Sequence, residues 1–208
     1  TDFDFFKQPK VQRTIVSLDL SQAEIVADRN YPQSYAANMF PPNAFYSTTP
    51  FGQSQPILKE LKLPASVVQI MGNAFNNCAK IEELELPENL YNEHKQTTSS
   101  GSWKYVYGLE GDVFSGCTSL KTLYVNCAPV NGKVSLIKPT YGSVAKLGLS
   151  DPSKVTVIVK PEYLKAYLTD NQGSYGNYYG DGANIWYGAK FNILSEYPVY
   201  GINFEATR

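Results

Sequence analysis

The chain has a single histidine, His94, only three cysteines, and no excess of charge of either sign. Its 18 lysines and arginines stand against 19 aspartates and glutamates, for a formal charge of −1. Each shortage closes off a class of function. One histidine builds neither a His-rich metal site nor a two-histidine zinc motif. Cys78, Cys117 and Cys127 are odd in number and lack C-x-x-C spacing, which argues against both a disulfide framework and a zinc site. Balanced charge without a lysine or arginine run removes nucleic acid and anionic membrane surfaces, because neutralising several phosphates takes a basic excess. No apolar run reaches the ~18 residues of a membrane span. The opening residues, TDFDFFKQPK, lack the basic-then-apolar pattern of a secretory leader. That leaves a cytoplasmic protein, or an exported one whose leader is removed.

Catalytic signatures are missing as well. There is no G-x-S-x-G, P-loop, H-E-x-x-H or dinucleotide fingerprint. A Ser-His-Asp relay would have to use His94, which sits in a polar, Gly/Ser-rich stretch where a solvated histidine is the expectation. Glu82, Glu83 and Glu85 cluster, but Glu83 and Glu85 point out of one strand beside Lys62, as an ordinary solvated strand face does, rather than flanking a glycosidic bond. Asp181, in YGDGAN, is one carboxylate among glycines, short of a full acidic calcium loop. No catalytic residue, metal or cofactor is expected.

What the chain does have is bulk, tyrosine and repetition. Its 208 residues are 43% hydrophobic and 18% charged, enough to close a core and too apolar for disorder by self-repulsion. Sixteen tyrosines lie among many Gly, Asn, Ser and Pro. Tyrosine offers an apolar ring with a polar tip at little entropic cost, which suits wet recognition surfaces.

Three stretches align. Asn43–Val67 carries NAF and then LKELKLPASV; Asn73–Leu90 reads NAFNNCAKIEELELPENL; Asp112–Val130 reads DVFSGCTSLKTLYVNCAPV. In each, apolar residues alternate with polar ones: Leu61 and Leu63 flank Lys62, Leu84 and Leu86 flank Glu85, Leu123 and Val125 flank Tyr124. Alternation of this kind places one face inward and the other outward. Val157-Ile158-Val159 is a fourth copy, and Leu18-Asp19-Leu20 a possible leading one. The Leu61–Leu84 interval falls in the roughly 20–29-residue period of L-x-x-L-x-L repeats; the later intervals are lengthened by insertions, notably residues 94–111. A unit with one short strand cannot bury its leucines alone, so stacking is required, at about 1.5–3 kcal/mol per buried side chain. Phe45, Phe75 and Phe114 form a second inner ladder. Cys78 and Cys117 recur at one place in their units and read as core filler; Cys127 has no repeat partner.

These units resemble the BspA-type bacterial leucine-rich repeats, whose pattern runs A-F-x-x-C-x-x-L-x-x-I-x-L-P. Ala74, Phe75, Cys78, Ile81, Leu84, Leu86 and Pro87 match it in turn. Phe114, Cys117, Leu120, Leu123 and Val125 match it again, with Val113 for Ala and Asn126 for Pro. Pro161, Tyr167, Trp186, Phe191, Asn192 and Ile193 are similar to the family's closing segment. The resemblance implies a leucine-rich-repeat solenoid, a β-rich α/β fold with short parallel strands stacked on one face, a loop-rich opposite face and a C-terminal helical cap. It also implies an exported or surface-attached bacterial protein engaged in adhesion or protein binding, with no assigned catalytic residues.

The expected organisation is an opening region over residues 1–42, the solenoid over 43–160 with its insertion at 94–111, and a cap over 161–208. Asp2–Phe6 and Val11–Leu20 are expected to contain strands, Tyr31–Pro56 to be a long irregular connection, and Pro161–Thr169 a short helix beginning at proline. Ile185–Ile193 folds back over the last strand, since an open end would expose leucines.

Two surfaces suit recognition. One is the outward strand face, Glu60, Lys62, Glu83, Glu85, Thr122, Tyr124, Thr156 and Ile158, whose mixed charge fits a host or matrix protein. The other is aromatic: Trp103, Tyr105 and Tyr107 alternate in SWKYVYG, and Tyr175, Tyr178 and Tyr179 crowd GSYGNYYGDG. Rings on one side of a hairpin form a platform for a sugar or an apolar patch, or they pin the insertion onto the repeats.

Overall fold

The sharp corner of each unit is set by a residue that tolerates left-handed backbone. Asn43, Asn73 and Asp112 have φ of 53°, 56° and 58°, a region that Asn and Asp enter more easily than other side-chained residues. Each precedes a small apolar residue and a phenylalanine, Ala44-Phe45, Ala74-Phe75 and Val113-Phe114, all buried. A second left-handed position recurs at Asn77 (61°) and Gly116 (77°), directly before Cys78 and Cys117. The backbones of successive corners are joined: Phe45 N–H donates to Ala74 O, Phe75 N–H to Val113 O, and Asn77 N–H to Ser115 O.

The computed structural model describes residues 2–29, 34–46, 56–92, 94–98, 100–132, 134–137, 147–149, 151, 154–169, 185–186, 189–190 and 192–193. Two short helices, α1 (Asp2–Phe6) and α2 (Pro9–Gln12), open the chain. Then come β1 (Ser17–Asp19), β2 (Met39–Phe40), β3 (Glu60–Lys62), β4 (Gln69–Ile70), β5 (Glu83–Leu86), β6 (His94–Thr97), β7 (Trp103–Val106), β8 (Thr122–Val125) and β9 (Thr156–Ile158). A 3-10 turn at Pro161–Tyr163 runs into α3 (Leu164–Thr169), and β10 (Ile185–Trp186), β11 (Ala189–Lys190) and β12 (Asn192–Ile193) follow. Among the described residues no helix is long and apolar enough to cross a membrane.

Two parallel ladders run through the molecule. In the first, β1 pairs with β3, Leu18 opposite Leu61, and β5, β8, β9 and β12 pair in that order, aligning Leu84, Leu123, Val157 and Ile193. Alternation sorts the side chains as a pleat requires: Glu83 and Glu85 are exposed while Leu84 and Leu86 are buried. In the second, β2 pairs with β4, Phe40 opposite Ile70, and single bridges extend it from Ile70 to Leu109 and from Leu109 to Ile137. Behind them Phe45 stacks on Phe75 at 6.3 Å, and Phe75 on Phe114 at 5.7 Å. One continuous core joins all three sets.

The first ladder is interrupted. Among the described residues no strand pairing joins β3 to β5, although the second ladder and the phenylalanine stack pass through the same units unbroken. The missing pairing is therefore confined to the strand face, where β3 and β5 still lie side by side.

The N-terminus departs from expectation. Asp2–Phe6 is helical, and of Val11–Leu20 only Ser17–Asp19 is strand. The D-F-D-F-F order reads as alternation, but helical spacing puts Phe3 and Phe6 together on the end of the core. There Phe3 meets Phe40 at 5.2 Å and Phe6 meets Phe45 at 5.8 Å. Buried Gln12 fixes α2 by donating its amide to Phe45 O. The stretch read as irregular, Tyr31–Pro56, contains β2 and the Asn43 corner; a two-residue strand is too short to show periodicity. At the other end, Tyr167 of α3 is buried, and its hydroxyl donates to Cys127 O at 2.9 Å. That places Cys127 under the C-terminal helix.

Candidate functional site

The outward residues of the first ladder fall into two columns because every registered pair is parallel and in step. One column holds Ser17 beside Glu60, and Glu83 beside Thr122 and Thr156; the other holds Asp19 beside Lys62, and Glu85 beside Tyr124 and Ile158. Exposure is graded along the face. Glu60, Lys62, Glu83 and Glu85 are exposed, whereas Thr122, Tyr124, Thr156 and Ile158 are half-buried. Tyr124 and Ile158 are thus less open than alternation alone suggests, since rings and branched chains cover their own strand.

Charge on this face is partly paired. Lys62 Nζ lies 3.2 Å from Asp19 Oδ2 on the neighbouring strand. Hydrogen bonds from Ser21, and then from Lys62, hold the Asp19 carboxyl down to about 2. Lys121 meets Glu82 at 2.6 Å and Lys160 meets Glu88 at 2.8 Å. Such solvated pairs contribute little to stability, but they fix which charges stay available. Among the described residues Glu60 and Glu83 have no ion-pair partner. Both border a cleft of about 790 Å³ along β3 and β5, whose lining also includes Lys59, Lys80 and Tyr124.

The hairpin of β6 and β7 is the second surface. Trp103 is 57% exposed and Tyr105 45%, but Tyr107 follows the strand and is only 9% exposed. The three-ring platform is therefore two rings, and they are not coplanar: centroids are 5.3 Å apart at 73°. Lys95 Nζ sits 4.7 Å over the Trp103 ring and covers one of its faces. Tyr175, Tyr178, Tyr179 and Asp181 lie outside the described residues. Leu109, inside the stretch read as insertion, is buried and belongs to the second ladder.

Groups that chemistry would need are placed elsewhere. His94 is exposed at the start of β6, its ring stacked on Tyr91 at 4.5 Å. Cys78, Cys117 and Cys127 are free and buried. Burial raises the Cys78 thiol well above its ordinary value and pushes Cys117 and Cys127 up to about 12. Thiolate is the reactive form, so the folded protein is expected to resist a thiol reagent at mildly alkaline pH and to label all three thiols once denatured. Labelling of the native protein would mean that these side chains open to solvent. Among the described residues no group of three or more His, Cys, Asp or Glu is placed to hold a metal ion.

Comparison of the chain with protein-family models, with curated proteins and with solved structures yields no match.

Proposed function

We propose that this chain is a non-catalytic binding module, a leucine-rich-repeat solenoid of BspA type from an exported or surface-attached protein, and that its outward strand face holds a protein ligand. The observation that carries this reading is the outward array of Lys62, Glu83, Glu85, Thr122 and Tyr124 beside an open cleft. An aromatic residue can anchor a protein partner, and charges of both signs around it can fix the partner's register. The parallel ladders and phenylalanine stack support the repeat architecture, since equivalent residues lie on one another. Export is supported by the resemblance of the repeat units.

The test is capture of matrix or serum proteins by the purified chain, run beside an immobilised glycan panel. Tyr124→Ala with Lys62→Ala is expected to weaken a saturable protein interaction by about 2 kcal/mol, roughly thirtyfold in Kd, while the protein stays folded at the assay temperature despite the loss of a half-buried ring. Capture that ignores both substitutions would remove the strand face from consideration. A glycan hit lost on Trp103→Ala would instead favour the second reading, sugar binding by the hairpin. Its support is the exposure of Trp103 and Tyr105; the crossed rings and the covering Lys95 leave it a smaller platform.

A further inference from the structure

We propose that Asn131 is a site of spontaneous covalent modification, at which the backbone nitrogen of Gly132 displaces the side-chain amide and leaves aspartate or isoaspartate. The site lies outside the strand ladders, and its chemistry does not depend on what the strand face binds.

The chain contains a single Asn-Gly pair, Asn131-Gly132. Glycine matters there because a residue without Cβ lets its nitrogen approach the preceding side chain and lets the backbone turn freely. Both residues are exposed, with φ of 52° and 74°, and a Cβ on Gly132 would meet nothing within 4 Å. Among the described residues, neither the Asn131 side chain nor the Gly132 N–H has a hydrogen-bond partner. The amide carbon and the attacking nitrogen are both open to solvent, with room for the rotation that ring closure needs.

The other described asparagines in left-handed backbone lack these conditions. Asn38, Asn43, Asn73 and Asn77 precede Met39, Ala44, Ala74 and Cys78. Ala44, Ala74 and Cys78 are fully buried, and the N–H groups of Met39, Ala74 and Cys78 donate to Ala36 O, Met71 O and Phe75 O. Asn92, which is nearer, has its amide tied at both ends: Nδ2 donates to Ala128 O, and Oδ1 accepts from Ser135 N–H. Those two bonds also pin both flanks of the segment that carries Asn131, so the turn can change while its flanks stay in place.

The step balances with water as its only co-reactant. The Gly132 nitrogen gives its proton to solvent and bonds to Asn131 Cγ, while the Cγ–Nδ2 bond breaks and ammonia leaves. Water then opens the resulting succinimide. Cleavage between Gly132 N and Cγ gives aspartate. Cleavage between Gly132 N and the Asn131 main-chain carbonyl carbon gives isoaspartate, with one more carbon in the main chain. Either product adds one negative charge, taking the formal charge from −1 to −2.

The test holds the intact folded chain at mildly alkaline pH, beside the same chain unfolded in urea. Both are followed by isoelectric focusing and by mass spectrometry of their peptides. In the folded chain Asn131 is expected to convert on the order of tenfold or more faster than Asn38, Asn43, Asn73 or Asn77, and within about tenfold of its rate in urea. The rate should rise with pH, because the attacking nitrogen must lose its proton. Gly132→Ala should slow conversion about tenfold. Asn131→Gln should remove the acidic shift, since its longer side chain must close a larger ring. If Gly132→Ala unfolds under the assay conditions, Asn131→Gln carries the comparison. Equal rates at these asparagines, an acidic shift that survives Asn131→Gln, a folded Gly132→Ala variant that converts as fast as the parent, or a rate indifferent to pH would each overturn the proposal. So would a folded chain that keeps the Asn131 amide while the urea sample loses it.

Discussion

Phe75→Ala is expected to destabilise the protein by about 3–5 kcal/mol. Phe75 is fully buried and sits between two neighbours of its own kind, Phe45 at 6.3 Å and Phe114 at 5.7 Å, with Phe40 5.5 Å away. Truncation removes the transfer free energy of the ring and leaves a void whose walls belong to three units. The neighbouring corners cannot collapse into it, because their backbones are tied by the bonds from Phe45 N–H to Ala74 O and from Phe75 N–H to Val113 O. Urea denaturation should therefore show a lower midpoint. Because stacked repeats are coupled through nearest neighbours, a broadened transition, with the units on either side melting apart, would also agree. A loss below about 1 kcal/mol, the range of a surface change, would mean that the phenylalanine stack does not hold the units together.

Gly116→Ala is expected to cost about 1–3 kcal/mol, the range of a side-chained residue held in a left-handed conformation, at the upper end because space is also lacking. Gly116 has φ +77°, and a Cβ there would run into the Asn77 side-chain oxygen and come 3.0 Å from Asn77 Cα. The obstacle is the backbone of the neighbouring unit, which cannot swing aside as a side-chain tip can. Gly132 provides the control. It has a similar φ of +74°, but a Cβ there meets nothing within 4 Å, so Gly132→Ala should show the conformational cost alone. Equal losses of melting temperature in the two variants would argue that close approach of successive corners plays no part. Gly116→Asn sharpens the comparison, since Asn occupies the equivalent left-handed position at Asn77. It should ease the backbone cost and still meet the neighbour.

The candidate face was legible in the sequence wherever alternation had several residues to act on. Glu83-Leu84-Glu85-Leu86 reads outward-inward-outward-inward, and the burial of those four residues follows that order. Asn43, Asn73 and Asp112 stand before a small apolar residue and a phenylalanine, and all three adopt left-handed backbone at that point. The cleft was not legible. Whether two strands register depends on segments distant along the chain, and nothing in the local pattern of Glu60–Lys62 or Glu83–Leu86 announces that β3 and β5 do not pair. The helix at Asp2–Phe6 was missed for a related reason. Five residues are too few to separate a period of two from one near four, and burial against Phe40 and Phe45 decided between them. Tyr107 looked like a third exposed ring because it continues the alternation of Trp103 and Tyr105, yet the strand ends at Val106 and the chain turns inward.

By itself the sequence determined the local quantities: which strand residues face inward, and that catalytic and metal-binding motifs are scarce. These follow from side-chain polarity and residue type, each a property of a few neighbours in the chain. Only the tertiary structure decided the non-local ones. It matched Leu84 with Leu123 and Leu123 with Val157, set Cys127 beneath Tyr167, left β3 and β5 without a strand pairing, and placed Glu60 and Glu83 at one cleft. Those outcomes depend on how surfaces far apart in sequence fit once a shared core has formed, and no short stretch of the chain encodes that fit.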